Sequence, residues 1–151
     1  GAEKCALAKA NGYHHVIDYT STDFETEVMR LTDGKGVDVT YDSVGNDTMA
    51  RSLTSTRRHG TIIAFGQSSG AYLDFKISDL AKGSYKLSRP TLFHFVGERD
   101  WLEANSAKLF TAVTDGTVEI SINQKFPLVD VAKAHDALTG RATTGSTILT
   151  V

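Results

Sequence analysis

Three short runs combine hydroxyl, amide, carboxylate and glycine groups just where an apolar stretch stops: Asp18-Tyr19, Asp42-Ser43-Val44-Gly45 and Phe65-Gly66-Gln67-Ser68-Ser69-Gly70. If the stretches before them are neighbouring parallel strands, the runs gather at the carboxyl ends of one sheet, where open α/β sheets bind ligands. Ser43, Gln67 and Ser68 would then offer short hydrogen-bonding groups, and Gly66 would let a ligand approach the backbone closely. The same Gly, Ser and Asn chemistry builds ordinary strand-to-helix turns, so the residues alone leave ligand contact and turn geometry both open. Asp42 follows a β-branched run and precedes a helical pattern. That position suits a carboxylate bonding its own turn or capping a helix better than a catalytic acid or base.

Other chemistries find no support. His14 and His15 are adjacent in an extended stretch, so their side chains point to opposite faces and share no metal. His59, His94 and His135 are scattered along the chain. Cys5, the one cysteine, excludes an internal disulfide and a thiolate zinc site. It reads as a small hydrophobe, and it suits a reducing compartment, the cytoplasm. No catalytic residue and no metal ligand is nominated. A net charge of −2 over 151 residues gives no general field for a nucleic acid backbone. No apolar run approaches the roughly 20 residues that span a bilayer.

The elements that would position these residues alternate. Residues 3–11 are helical, with Gly12 as the stop. Val16-Ile17 suggests a short strand. Thr22-Asp23-Phe24-Glu25 has capping-box spacing, and Phe24, Val28 and Leu31 share one helix face before Gly34-Lys35-Gly36 ends it. Residues 37–42 form a β-branched strand. A helix restarts at Gly45-Asn46-Asp47, with Asn46 as cap and Met49, Ala50 and Leu53 facing inward. Arg57-Arg58-His59-Gly60 closes that helix, with cations near its carboxyl end. Residues 61–65 form the next strand. This rhythm, with short connections, predicts a parallel sheet covered by helices. Beyond Gly70 a helical turn is expected at 77–80 and an edge strand at 86–89, ended by Pro90. A long helix starts at Asp100, with Leu102, Leu109, Phe110 and Val113 on one face and Gly116 as its end. Extended chain at 118–126, a helix through Val131, Ala134 and Leu138, and a strand at 147–151 complete the pattern.

Five motifs in order carry a resemblance. Tyr41-Asp42-Ser43-Val44-Gly45, Arg58-His59-Gly60 with Ala64-Phe65-Gly66-Gln67-Ser68-Ser69-Gly70, Arg89-Pro90-Thr91-Leu92, Ala134-His135 and Arg141-Ala142-Thr143-Thr144-Gly145 resemble the NADPH:quinone oxidoreductases. These are the zeta-crystallin-like, zinc-free branch of the medium-chain dehydrogenase/reductase superfamily. The resemblance implies a Rossmann-like, doubly wound α/β sheet, truncated at its N-terminal side. Residues 1–117 would be a partial NADP-binding domain without its first strand and glycine-rich turn. Residues 118–151 would return to a substrate domain.

It further implies a set of cofactor contacts. Lys4 and Tyr19 would hold the adenosine 2′-phosphate of NADPH. Ser43, Phe65, Gly66, Gln67 and Ser68 would meet the cofactor at the strand ends, Thr91, Leu92 and Phe93 would lie beside the nicotinamide, and Arg141 would reach the bound cofactor. A surface role for Lys4, edge packing for 91–93 and a helix-end cation for Arg141 are the competing explanations. The implied partners are a quinone or enone substrate and a second copy, joined through the edge near residues 86–90. The chain by itself is expected to be inactive. A non-catalytic dinucleotide-binding or dimerising module, or a methyltransferase-like domain, are the alternatives.

Overall fold

The computed structural model describes residues 1–140 and 142–151. They form two compact units, Gly1–Leu92 and Phe93–Val151. The expected functional division fell at 117/118; the contacts divide the chain earlier, within the first turn of a short helix at Leu92–Val96.

The first unit opens with α1 (Ala2–Ala10), which Asn11 and a positive-φ Gly12 terminate. The expected strand at Val16-Ile17 does not form: these residues belong to no ladder. Two apolar residues offer too few backbone groups to hold a strand without a neighbour to bond. A turn follows, in which Asp18 Oδ1 accepts from Thr20 N and Thr20 Oγ1, at 3.1 and 2.6 Å. Helix α2 (Phe24–Leu31) is capped by Asp23, whose Oδ1 accepts from Thr26 N at 3.0 Å. The cap is therefore one residue later than the capping-box spacing suggested. Phe24, Val28 and Leu31 are half-buried, as their periodicity requires.

Strand β1 (Val37–Asp42) leads through a turn to α3 (Met49–Thr54), then to β2 (Thr56–Ala64). A 3₁₀ turn (Ile77–Lys82) precedes β3 (Lys86–Ser88). The three strands are parallel in the order β1-β2-β3, with Asp42 opposite Ala64 and Ile63 opposite Ser88. This is the expected α/β class with a parallel sheet.

One local expectation is corrected. Arg57-Arg58-His59-Gly60 does not close a helix but lies inside β2, in a bulge. Val37 pairs with Thr56 and Val39 with Thr61, so the intervening β2 residues have no counterpart of their own. The buried Thr56 explains why α3 stops early. Its hydroxyl donates to the Ser52 carbonyl at 2.8 Å and lies 2.7 Å from the Thr40 hydroxyl, drawing the chain into the sheet. Arg57 pairs with Asp38 across the bulge, and His59, at φ 63°, donates its N–H to the Gly83 carbonyl at 2.8 Å. Asn46 is not the cap of α3, which begins at Met49 after Thr48, and Ala50 is exposed.

The core of this unit is Met49, Leu53 and Ile62, with Tyr72, Phe75, Leu80, Tyr85 and Leu87 packed against it. The outer edge of β1 has no strand beside it among the described residues. Val39 and Tyr41 are exposed there, and the buried Ser55 hydroxyl, on the groove beside that edge, has no hydrogen-bond partner among the described residues.

In the second unit, α4 (Leu92–Val96) begins at the division and α5 (Arg99–Thr114) runs to Gly116, as expected. Leu102 and Val113 are half-buried, but Leu109 and Phe110 are 52% and 66% exposed, so the expected apolar face is only partly covered. Strand β4 (Ile122–Pro127), a 3₁₀ turn (Leu128–Asp130), α6 (Val131–Thr139) and β5 (Ser146–Thr150) form a parallel β-α-β crossover, with Ala134 buried under it.

Ile62 is 0% exposed at the centre of the first unit's core. Ile62→Ala is expected to cost about 2–5 kcal/mol, read as a lower urea midpoint with little change in slope. Ile62→Val should cost about 0.5–1.5 kcal/mol.

Candidate functional site at the carboxyl ends of the strands

The turn after β1 is built around the Asp42 carboxylate, which is 4% exposed. Oδ1 accepts from Val44 N and Gly45 N, both at 2.9 Å, and Oδ2 accepts from Ser52 Oγ at 2.7 Å. Thr48 Oγ1 lies 3.0 and 2.8 Å from the two oxygens. Burial alone would raise the pKa of this group. The hydrogen bonds from Ser52, Gly45, Thr48 and Val44 outweigh it and hold the carboxyl below its ordinary 3.8. Asp42 is thus a charged structural group that joins strand, turn and helix, as its position suggested.

The turn after β2 is fastened to the turn after β1. Phe65 N donates to the Asp42 carbonyl (2.9 Å), Ser68 N to the Ser43 carbonyl (3.2 Å) and Ser69 N to the Val44 carbonyl (2.9 Å). Ser69 Oγ donates to the Val44 carbonyl (2.8 Å) and accepts from Asp47 N (3.0 Å). A Cβ on Gly66 would stand 2.5 Å from the Ser43 carbonyl oxygen, and one on Gly45 2.5 Å from the Gly70 carbonyl oxygen. Gly66 is therefore required by the close approach of the two turns, whatever else binds there.

Two grooves draw part of their walls from these turns. One, of about 360 Å³, is lined by Tyr19, Phe24, Val28, Tyr41, Ser43 and neighbours. The other, of about 210 Å³, is lined by Gly66, Gln67, Met49, Tyr72, Phe75, Arg89 and neighbours. The structure thus brings Tyr19 and Ser43 into one groove and Gly66 and Gln67 into the next. Phe65 (51% exposed) and Ser68 are exposed and line neither.

Lys4 sits in the first turn of α1. The Gly1 nitrogen lies 3.4 Å from Asp18 Oδ2, so the start of α1 stands beside the turn that carries Tyr19. The hydroxyl and amide of Thr20 hold the Asp18 carboxyl below its ordinary range, keeping it ionised in that turn. Thr91 is half-buried and Leu92 exposed, both just beyond β3. Phe93 belongs to the second unit, where it is exposed. Arg141 lies outside the described residues.

Sequence reasoning did not single out Arg89, Tyr72 and Phe75 as groove-lining residues. Arg89 appeared only within a motif, and Tyr72 and Phe75 fall in a stretch without periodicity. Their common wall follows from tertiary packing alone.

Parallel strands whose carboxyl ends gather paired glycine- and serine-bearing turns define an α/β fold of the dinucleotide-binding type. The chain matches the zinc-binding dehydrogenase family over residues 11–149. It is 40% identical to a 2-haloacrylate reductase of Burkholderia sp over 97% of its own length and 45% of that protein's. It is also 40% identical to a quinone oxidoreductase of Pseudomonas aeruginosa, over 97% and 46%. The crystal structure of an Escherichia coli quinone oxidoreductase complexed with NADPH superposes with a TM-score of 0.93 at 37% identity, covering 100% of this chain and 47% of that one.

This chain belongs to the zinc-binding dehydrogenase family, and its relatives within it are quinone oxidoreductases and a haloacrylate reductase. It spans about half the length of these relatives. The family match decides against the methyltransferase-like alternative. Despite the family's name, the residues of this chain do not fit a zinc site: among the described residues no three His, Cys, Asp or Glu side chains converge, and Cys5 stands as the one cysteine. Nor is any helix among the described residues long and apolar enough to cross a membrane.

Two outcomes are expected here. Because its folded pKa is depressed, Asp42 contributes stability that is fully present above 3.8 and is lost as pH falls through the lower folded value. Asp42→Asn should therefore cost about 1.5–3 kcal/mol near neutral pH and flatten the acid limb of a stability-against-pH curve. Gly66→Ala forces a methyl group onto Ser43 and should cost about 1–3 kcal/mol, seen as a lower thermal midpoint.

Proposed function

We propose that this chain is the cofactor-binding portion of an NADPH-dependent oxidoreductase that reduces a quinone or another conjugated carbonyl compound. The observation that carries the reading is the seam of the 43–45 and 65–70 turns at the carboxyl ends of parallel strands. Tyr19 stands on one adjoining groove, and the first turn of α1, with Lys4, lies beside it.

In this reading the Lys4 ammonium and the Tyr19 hydroxyl receive the adenosine 2′-phosphate. A carboxylate at that place would instead favour a free 2′-hydroxyl. Ser43, Phe65, Gly66, Gln67 and Ser68 bound the ribose and nicotinamide, Thr91, Leu92 and Phe93 flank the nicotinamide, and Arg141 reaches the cofactor. NADPH, when bound, supplies the hydride; the protein binds, orients and excludes water. No side chain of this chain is assigned a proton-donating role, and residues 118–151 join the part that holds the acceptor. Two copies associate through the free edge of β3, an isologous contact. The single cysteine favours a reducing compartment, the cytoplasm.

The test is a titration with NADPH and with NADH. NADPH should bind more tightly, and Lys4→Ala should weaken NADPH about tenfold or more while leaving NADH little changed, the loss of one charge-assisted contact of about 1.5–3 kcal/mol. Equal losses for both cofactors would sink the assignment. Light scattering is expected to give the mass of a dimer; a monomer mass would overturn the association.

A further inference from the structure

The chain has four asparagines, and Asn11 differs from the other three in two respects. It is followed by glycine, and its exposed side-chain amide makes no hydrogen bond among the described residues. Asn46 donates from Nδ2 to the Asp47 carboxylate at 3.4 Å. Asn105 lies inside α5 and donates to the Trp101 carbonyl at 2.9 Å. Asn123 lies inside β4 and donates to the Thr144 hydroxyl at 3.1 Å. Each of these three precedes a residue with a Cβ, whereas Gly12 has none and stands in open space, with nothing within 4 Å of where one would be. Asn11 ends α1, a helix with no buried residue. Gly12 N donates to the Lys9 carbonyl at 3.2 Å and Tyr13 N to the Ala8 carbonyl at 3.3 Å. With no buried side chain to hold it, this last turn opens at small cost. Opening frees the Gly12 N–H and lets Asn11 rotate away from its ψ of 16° until Cγ faces the Gly12 nitrogen.

We infer that Asn11-Gly12 is a self-modifying site, at which the chain loses ammonia through a cyclic imide. The Gly12 nitrogen gives up its proton and attacks Asn11 Cγ. An N–Cγ bond forms, the Cγ–Nδ2 bond breaks, and the side-chain nitrogen leaves as ammonia with that proton. Water then opens the imide. Cleavage of the N–Cγ bond gives aspartate. Cleavage between the Asn11 carbonyl carbon and the Gly12 nitrogen gives isoaspartate, with the main chain routed through Cγ. Water is the only co-reactant, and no electrons are transferred. Either product places a carboxylate at the negative end of the α1 dipole. Isoaspartate also lengthens the main chain just where Gly12 N and Tyr13 N meet the carbonyls that end the helix. The reaction therefore loosens the last turn of α1. It stands independently of the cofactor reading.

The experiment is to incubate the chain in mildly alkaline buffer at physiological temperature and follow its tryptic peptides by mass spectrometry. The peptide Ala10–Arg30 holds Asn11 and no other side-chain amide. Its mass should rise by the difference between O and NH, isoaspartate should be prominent among the products, and the rate should climb with pH. Asn11 should react at least about tenfold faster than Asn46, Asn105 or Asn123, a barrier lower by about 1.4 kcal/mol. Gly12→Ala should slow the reaction. Its Cβ hinders the attack, while its strain at φ 88° favours opening of the turn, so slowing reports ring closure and not a tighter helix end. Asn11→Gln, with one more methylene in the ring to be closed, should keep its amide over the same period. In the aged protein, hydrogen exchange at Gly12 and Tyr13 should be faster than in the fresh one. Aspartate as the sole product, an unchanged rate in Gly12→Ala, faster loss at another asparagine, or unchanged exchange after the reaction overturns the proposal.

Discussion

A single ionised carboxylate, nearly sealed from water, fixes the geometry at the end of the sheet. Taking a charge out of solvent is costly unless hydrogen bonds replace the lost water. Asp42 gathers two backbone N–H groups and two hydroxyls for that purpose. In doing so it connects three levels of structure, because Asp42 closes β1, Val44 and Gly45 form the turn and Thr48 and Ser52 belong to the start and body of the helical segment. The turn so fixed presents the Ser43 carbonyl to Ser68 N, and Gly66 packs against it. Any ligand that reads both turns therefore reads a surface whose shape is set one layer below.

Much of this architecture was legible in the residue order. The β-branched run at 37–42 matches β1 to the residue, and the Phe24, Val28 and Leu31 spacing gave the inward face of α2. These signals are local: each is complete within a few residues. The misread segments depend on distant partners. Val16-Ile17 has strand composition but no neighbour to bond among the described residues. The cations at 57–58 fit a helix end, yet buried hydroxyl contacts from Thr56 to Ser52 and Thr40 pull the chain into the sheet first. Leu109 and Phe110 have helical spacing, which cannot say whether anything covers them.

The site divides in the same way. Ser43, Gly66 and Gln67 were legible because the ends of parallel strands are where such folds gather their polar turns. The reason Gly66 is glycine was not, since the atom it makes room for belongs to Ser43, far away in sequence. The wall formed by Met49, Tyr72, Phe75 and Arg89 draws on a helix, a loop and the end of a strand. No spacing rule connects them: Met49, Tyr72 and Phe75 meet in the core around Ile62, and Arg89 joins them on the groove wall.

The outer flank of β1, unpaired among the described residues, carries a consequence of its own. Its outward N–H and C=O groups are spaced like half of a ladder, and Val39 and Tyr41 stand beside them in water. Any extended apolar segment can zip onto such a template, including one from another molecule of the same kind. A net charge of only −2 provides little repulsion to keep molecules apart. This flank is a second open edge of the sheet, opposite the one at β3.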